Sequence, residues 1–154
     1  MPDAPVRDER HEALEIFLGK WTARGTSYGG TGQTGNNPKA NGEPWFSTHE
    51  SRWHTGAFFV IEDERADIDG YRFDTLVIIG ADENGGYFLR SFENHGHRRD
   101  YKLSRTGKVW TIEGATERAR IEFSDGGAEQ VIIWEWKPDS EWLPLCDRTA
   151  IKVG

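Results

Sequence analysis

One cysteine, Cys146, and one methionine are all the sulfur in 154 residues. A lone thiol excludes an intramolecular disulfide framework, and no paired cysteines are present to build a structural zinc site. Positive charge is also scarce: 19 Lys and Arg stand against 26 Asp and Glu, a net charge of -7, so the electrostatic footprint of a nucleic-acid binder is missing. No apolar run approaches the roughly 20 residues that span a bilayer, and no charged-then-apolar leader opens the chain. A cytoplasmic location without a membrane partner is therefore expected. Nucleophile elbows and phosphate loops are absent too, since the one Gly-rich stretch lacks the required lysine and the strand-to-helix context. Neither a cofactor nor a metal is expected on these grounds.

Aromatics, by contrast, are plentiful. Seven Trp and eight Phe in so polar a chain argue against disorder and for a lined interior. Residues 8–18 carry Leu14, Phe17 and Leu18 at helical spacing behind an acidic start, with Gly19 as the stop. From Trp21 onward, short segments rich in Val, Ile, Thr and aromatics are punctuated by Gly-containing turns, the pattern of an all-β meander of about ten strands. Residues 28–44 are too rich in Gly, Asn and Pro for a strand and read as a long loop, either a lid or an insertion. One domain spanning 1–154 is expected.

The turns predict the register. Thr55-Gly56, Asp69-Gly70, Asn84-Gly85, His95-Gly96, Thr106-Gly107 and Asp125-Gly126 each suit the centre of a two-residue hairpin loop, and directly opposed side chains share a face. On that assumption His49 faces Glu62, Val77 faces Glu62, Thr75 faces Glu64, Ile79 faces Arg90, Phe92 faces Arg99 and Arg90 faces Tyr101. The inward face then carries His49, Glu62, Glu64, Arg90, Arg99 and Tyr101 among Trp45, Trp53, Phe58, Phe88, Phe92, Trp110 and Trp134. Outside fall the pairs Arg65/Asp74 and Glu113/Arg118. His95 and His97 fall at a hairpin tip in water. For the last strand, inward placement stays open between Asp147 and Arg148.

So many ionisable groups are costly in a dry core. A barrel around a wet or ligand-filled cavity accommodates them, because about ten strands enclose more room than side chains fill. The stretch 17–25, FLGKWTARG, with its helix, Gly-x-Trp element and first strand, resembles the start of calycin proteins: lipocalins, fatty-acid-binding proteins and haem-binding nitrobindins. GYFLRSFENHG, KVWTIEG and WEWKPDSEWLPLCDR further resemble an uncharacterised bacterial domain-of-unknown-function family with such a barrel. The resemblance implies a closed antiparallel up-and-down β-barrel with a short N-terminal helix at one end, Trp21 plugging its floor, and a small, largely apolar ligand inside. Haem is disfavoured, since nitrobindin-like proteins ligate it through a histidine near the chain end and no histidine follows His97.

The functional expectation is binding of a small amphipathic or aromatic organic ligand. Trp53, Glu64, Arg90, Phe92, Arg99, Tyr101, Trp110 and Trp134 would contact it, and the arginines with Tyr101 would suit an anionic head group. The alternative is an enzyme, an isomerase or hydrolase in which Glu62 orients His49 as a general base. Phe59, Ile61 and Ile78 form an outward apolar strip that predicts a homodimer.

Overall fold

In the computed structural model, which describes residues 3–30 and 32–154, Asp8 caps a short helix, α1, Glu9–Ala13. The Asp8 carboxylate accepts from the Arg10 N–H, and the His11 ring accepts from the Asp8 N–H, a capping box with histidine in the place usual for Glu or Gln. The next turn, Leu14–Phe17, tightens to a 3₁₀ helix and ends at Gly19, whose φ of 121° lies where a side chain is disfavoured. Only two turns form, so the span read from the sequence is correct in place and generous in length.

Ten strands come after it: β1 Gly19–Ser27, β2 Glu43–Trp53, β3 Phe59–Ile68, β4 Tyr71–Ala81, β5 Tyr87–Glu93, β6 Arg98–Thr106, β7 Val109–Glu113, β8 Glu117–Phe123, β9 Glu129–Trp136 and β10 Leu143–Lys152. Each pairs antiparallel with its sequence neighbour, and β1 pairs with β10 to close the barrel. Full closure leaves no unpaired sheet edge. Among the described residues no helix is long and apolar enough to cross a membrane.

The helical segment closes one end. Leu14, Phe17, Trp21, Val60, Ile79, Leu103, Trp110 and Phe123 are almost fully buried there. The Trp21 indole donates to the Phe17 carbonyl at 3.1 Å, so the floor plug is tied to the helix that covers it. The opposite end is the mouth, where the described residues between β1 and β2, 28–30 and 32–42, lie against β9 and β10. Gln33 holds it, donating to the Pro144 carbonyl at 2.7 Å and accepting from the Trp136 indole at 2.7 Å.

Only β5 presents the opposite face from the one the sequence reading gave it. Asp69-Gly70 is a two-residue turn as expected, with positive φ at both residues. The loops at Asn84-Gly85 and His95-Gly96 instead hold three residues, 83–85 and 94–96, with the glycine last at positive φ. A one-residue slip turns a strand over, and a second slip at the next hairpin restores β6 and the strands beyond it. Hence Arg90, Phe92 and Phe88 face outward, while Tyr87, Leu89, Ser91 and Glu93 face inward. Leu89, not Arg90, opposes Tyr101. Elsewhere the slips are of two residues and preserve the face: the loop at Thr55-Gly56 has four residues, so His49 opposes Glu64, with Glu62 on the diagonal. Arg65 meets Asp74 as expected, whereas Arg118 bonds Glu135 across the next hairpin rather than Glu113.

Candidate functional site

The strands enclose a cavity of about 220 Å³ that opens toward the mouth. Its apolar part consists of Phe17, Val77, Ile79, Leu89, Ile112, Ile121 and Ile132, and Trp45, Phe73 and Trp134 stand nearer the mouth. Two polar walls face each other across it.

The first wall grows from β2 and β3. Alternate residues of β2 point inward, which places Trp45, Ser47, His49 and Ser51 in one buried row. The Trp45 indole donates to Ser47 Oγ at 3.0 Å, and Ser47 Oγ donates to Glu64 Oε2 at 3.4 Å. Ser51 Oγ donates to Glu62 Oε1 at 2.9 Å. His49 lies between the two carboxylates, with Nδ1 4.0 Å from Glu64 and Nε2 3.8 Å from Glu62, and its ring stacks on Trp21. Both distances exceed a hydrogen bond, so the His49–Glu62 couple of the enzyme alternative is a close contact without a formed proton relay.

Arg148 completes this wall from β10. A bulge at Leu145 shifts the register between Pro144 and Cys146 and settles the open question of the last strand. Arg148 points inward, and Asp147 meets Lys39 of the mouth loop at 3.3 Å. The guanidinium lies 4.3 Å from the Trp45 ring centroid and 3.8 Å from Glu64 Oε1. Gly25 opposes Arg148 on β1, and any Cβ there would overlap the Asp147 carbonyl and the Arg148 backbone, so only glycine permits this approach. Burial opposes the charge on Arg148, but Glu64, with Cys146 and Glu62, outweighs it and raises the pKa above the usual guanidinium value.

The second wall comes from β6 and β8. Arg99 Nε and Glu117 Oε1 are 2.6 Å apart, and Tyr101 stands beside them, its ring edge-on to Trp134. Burial first, and Glu117 second, push the Tyr101 hydroxyl pKa up, so it stays a neutral donor.

Glu93 stands at the rim. Its carboxylate accepts from the backbone N–H groups of His95 and His97 at 2.9 Å each and pairs with the His95 ring at 2.5 Å. The residues SFENHGHRRDY, 91–101, therefore form a mouth hairpin whose tip is organised by a buried glutamate. Both histidines are exposed, and the His95 ring stacks on Tyr71. Burial alone would raise the Glu93 carboxyl, but the His97 and His95 donors prevail and hold it below the usual range. A depressed folded-state value stabilises the fold above the ordinary glutamate pKa of about 4.3, and that contribution fades as pH falls through the folded value. Glu93→Gln is accordingly expected to flatten the loss of stability below about pH 4.5 in urea melts taken across the acid range.

Of the residues singled out from sequence, His49, Glu62, Glu64, Arg99, Tyr101 and Trp134 line the cavity. Arg90 does not: it faces solvent, 3.2 Å from Asp100. Phe92 is turned out with it and is 39% exposed. Trp110 and Trp53 are inward but lie at the closed end, Trp110 against Phe17 and Tyr87, Trp53 under Arg7. Among the further polar lining residues, Glu93, Glu117, Gln130 and Arg148 stand outside the set chosen from sequence. Glu117 alternates with the outward Arg118 and Gln130 shares the face of the inward Trp134, so both follow from strand alternation, while Glu93 was lost with the β5 face and Arg148 waited on the bulge.

Four buried side-chain atoms of cavity-lining residues lack a partner among the described residues: His49 Nδ1 and Nε2, Arg148 Nε and Gln130 Nε2. No group of three His, Cys, Asp or Glu residues is arranged to hold a metal ion among the described residues. No family model and no curated protein matches the chain. Among solved structures, the chain is similar to an S-type phycobiliprotein lyase from Guillardia theta, at 12% identity, with a TM-score of 0.52, covering 96% of this chain and 94% of that one. The likeness is one of fold, and it agrees with a calycin-type barrel.

Proposed function

We propose that the protein binds a small amphipathic or aromatic organic molecule inside the barrel. The observation that carries this reading is the combination of a cavity of about 220 Å³ with four unpartnered buried polar atoms on residues lining it. Buried donors and acceptors are nearly always paired, and each one left open costs about 1–3 kcal/mol. A ligand that supplied the missing partners would recover that cost while its body packed against Trp134, Phe73 and the apolar floor. Native mass spectrometry of protein purified from its source is expected to show a retained small molecule. Titration with aromatic amphiphiles is expected to change the tryptophan fluorescence. A crystal structure with the cavity filled by the protein's own side chains would overturn the reading.

We further infer that two copies pair through the outer face of β3, β4 and β5. Phe59, Ile61, Leu76, Ile78, Phe88 and Phe92 point outward there, with Phe59, Leu76 and Phe92 about 40% exposed. One cross-strand row reads Glu50, Asp63, Leu76, Phe92, Arg98, acidic at one end and basic at the other. A twofold axis through its apolar middle would set acid against base, the self-complementarity of an isologous interface. Sedimentation at micromolar concentration is expected to show a dimer that Leu76→Glu dissociates, and a wild-type monomer would refute it.

A further inference from the structure

The charged side chains lining the cavity are Glu62, Glu64, Glu93 and Glu117 against Arg99 and Arg148, with His49 as the titratable neighbour of the first two. Even with His49 protonated, one negative charge remains in excess. Neither arginine is free: Arg99 is held by Glu117, and Arg148 lies between Glu64 and the Trp45 face. Glu93 is held by two backbone donors and the His95 ring. Glu62 differs. It is partly open, with 19% of its side chain exposed, its hydrogen bond comes from a serine hydroxyl, and no lysine or arginine pairs with it among the described residues. Beside it, His49 is 95% buried with neither ring nitrogen hydrogen-bonded.

From this balance, and resting on the binding reading above, we infer that the ligand is an organic nitrogen base bound as its cation, which donates an N–H to Glu62 beside His49. An anion would enter a wall that already carries excess negative charge and would find both guanidiniums engaged. A cation exchanges its hydration for a carboxylate that has only one neutral partner, a charge-assisted bond roughly twice as strong as a neutral one. Low-dielectric walls bearing one sign of charge also concentrate the opposite sign. The unpartnered Nε–H of Arg148 and the side-chain amide N–H of Gln130 take a neutral acceptor, a carbonyl or hydroxyl oxygen, because a carboxylate there would lie against Glu64. The anionic head group suggested by the inward arginines of the sequence reading is replaced by its opposite, since Arg90 lies outside and Arg99 is already paired.

Calorimetry of the full chain with three matched probes decides this: naphthylmethylamine, naphthalenemethanol and naphthoate, at neutral pH and low salt. The amine is expected to bind at least about tenfold tighter than the alcohol, and naphthoate most weakly. Glu62→Gln is expected to remove the advantage of the amine and leave the affinity for the alcohol within about twofold, with an unchanged urea midpoint showing that the variant is folded. Naphthoate binding tightest, or an amine preference that survives Glu62→Gln, would overturn the inference and leave the binding reading standing. Failure of all three probes to bind would overturn both.

Discussion

Arg148→Ala is expected to cost the fold about 3–5 kcal/mol, because it leaves Glu64 buried without its cation. Glu64 is 6% exposed, and its other near neighbours are the Ser47 hydroxyl and the His49 ring, so water does not readily replace the guanidinium. Packing over Trp45 adds a smaller cation–π contribution of about 1 kcal/mol. Arg148→Met, which keeps the aliphatic stem and removes the charge, is expected to lose nearly as much as alanine. Urea denaturation of Arg148→Ala, Glu64→Gln and the double variant separates the causes. If the uncompensated carboxylate carries the loss, the double variant recovers most of it and the two changes are strongly non-additive. Additive losses would assign the effect to packing instead.

Trp21→Ala is expected to cost a similar amount, about 3–5 kcal/mol, by opening a void beneath the helix that the closed end cannot collapse to fill. Trp21 joins three parts of the floor: its indole N–H holds the Phe17 carbonyl, its face lies on His49, and its edge meets Phe123. Differential scanning calorimetry should show a melting temperature lower by about 10 °C or more. Trp21→Phe, which restores ring volume without the donor, should recover more than half of that. Because His49 stacks on the same ring, Trp21→Ala is also expected to weaken ligand binding, whereas a floor independent of the site would leave affinity unchanged.

The all-β meander and its N-terminal helix were legible because they depend on local signals, whereas closure into a barrel followed from the polar inward face and the calycin resemblance. Alternating inward aromatics, Gly-containing turns between most strands and the Leu14, Phe17, Leu18 spacing ahead of Gly19 each act within about ten residues. The inward faces of β2 to β9, with the exception of β5, followed from the same alternation, although exact partners slipped by two residues at several hairpins. His49 opposing Glu64 rather than Glu62 is such a slip, and it left the acidic wall recognisable.

The misplaced strand shows where local signals end. An X-Gly dipeptide serves either as a two-residue turn or as the last two residues of a three-residue loop, since both require a glycine at positive φ. Nothing within 84–85 or 95–96 distinguishes them. The choice rests on which face of β5 buries better, and Leu89 packing inside while Arg90 reaches Asp100 is a property of the assembled barrel. The bulge at Leu145 has the same origin, because it lets β10 follow β9 and β1 together while turning Arg148 toward Glu64. By itself, then, the sequence determined the class of the fold, the covered end and the kinds of side chain that line the interior. Only the tertiary structure decided which arginines lie inside and which carboxylates hold them. The sign of charge left for a ligand is therefore a sum over strands distant in sequence, and no local pattern carries it.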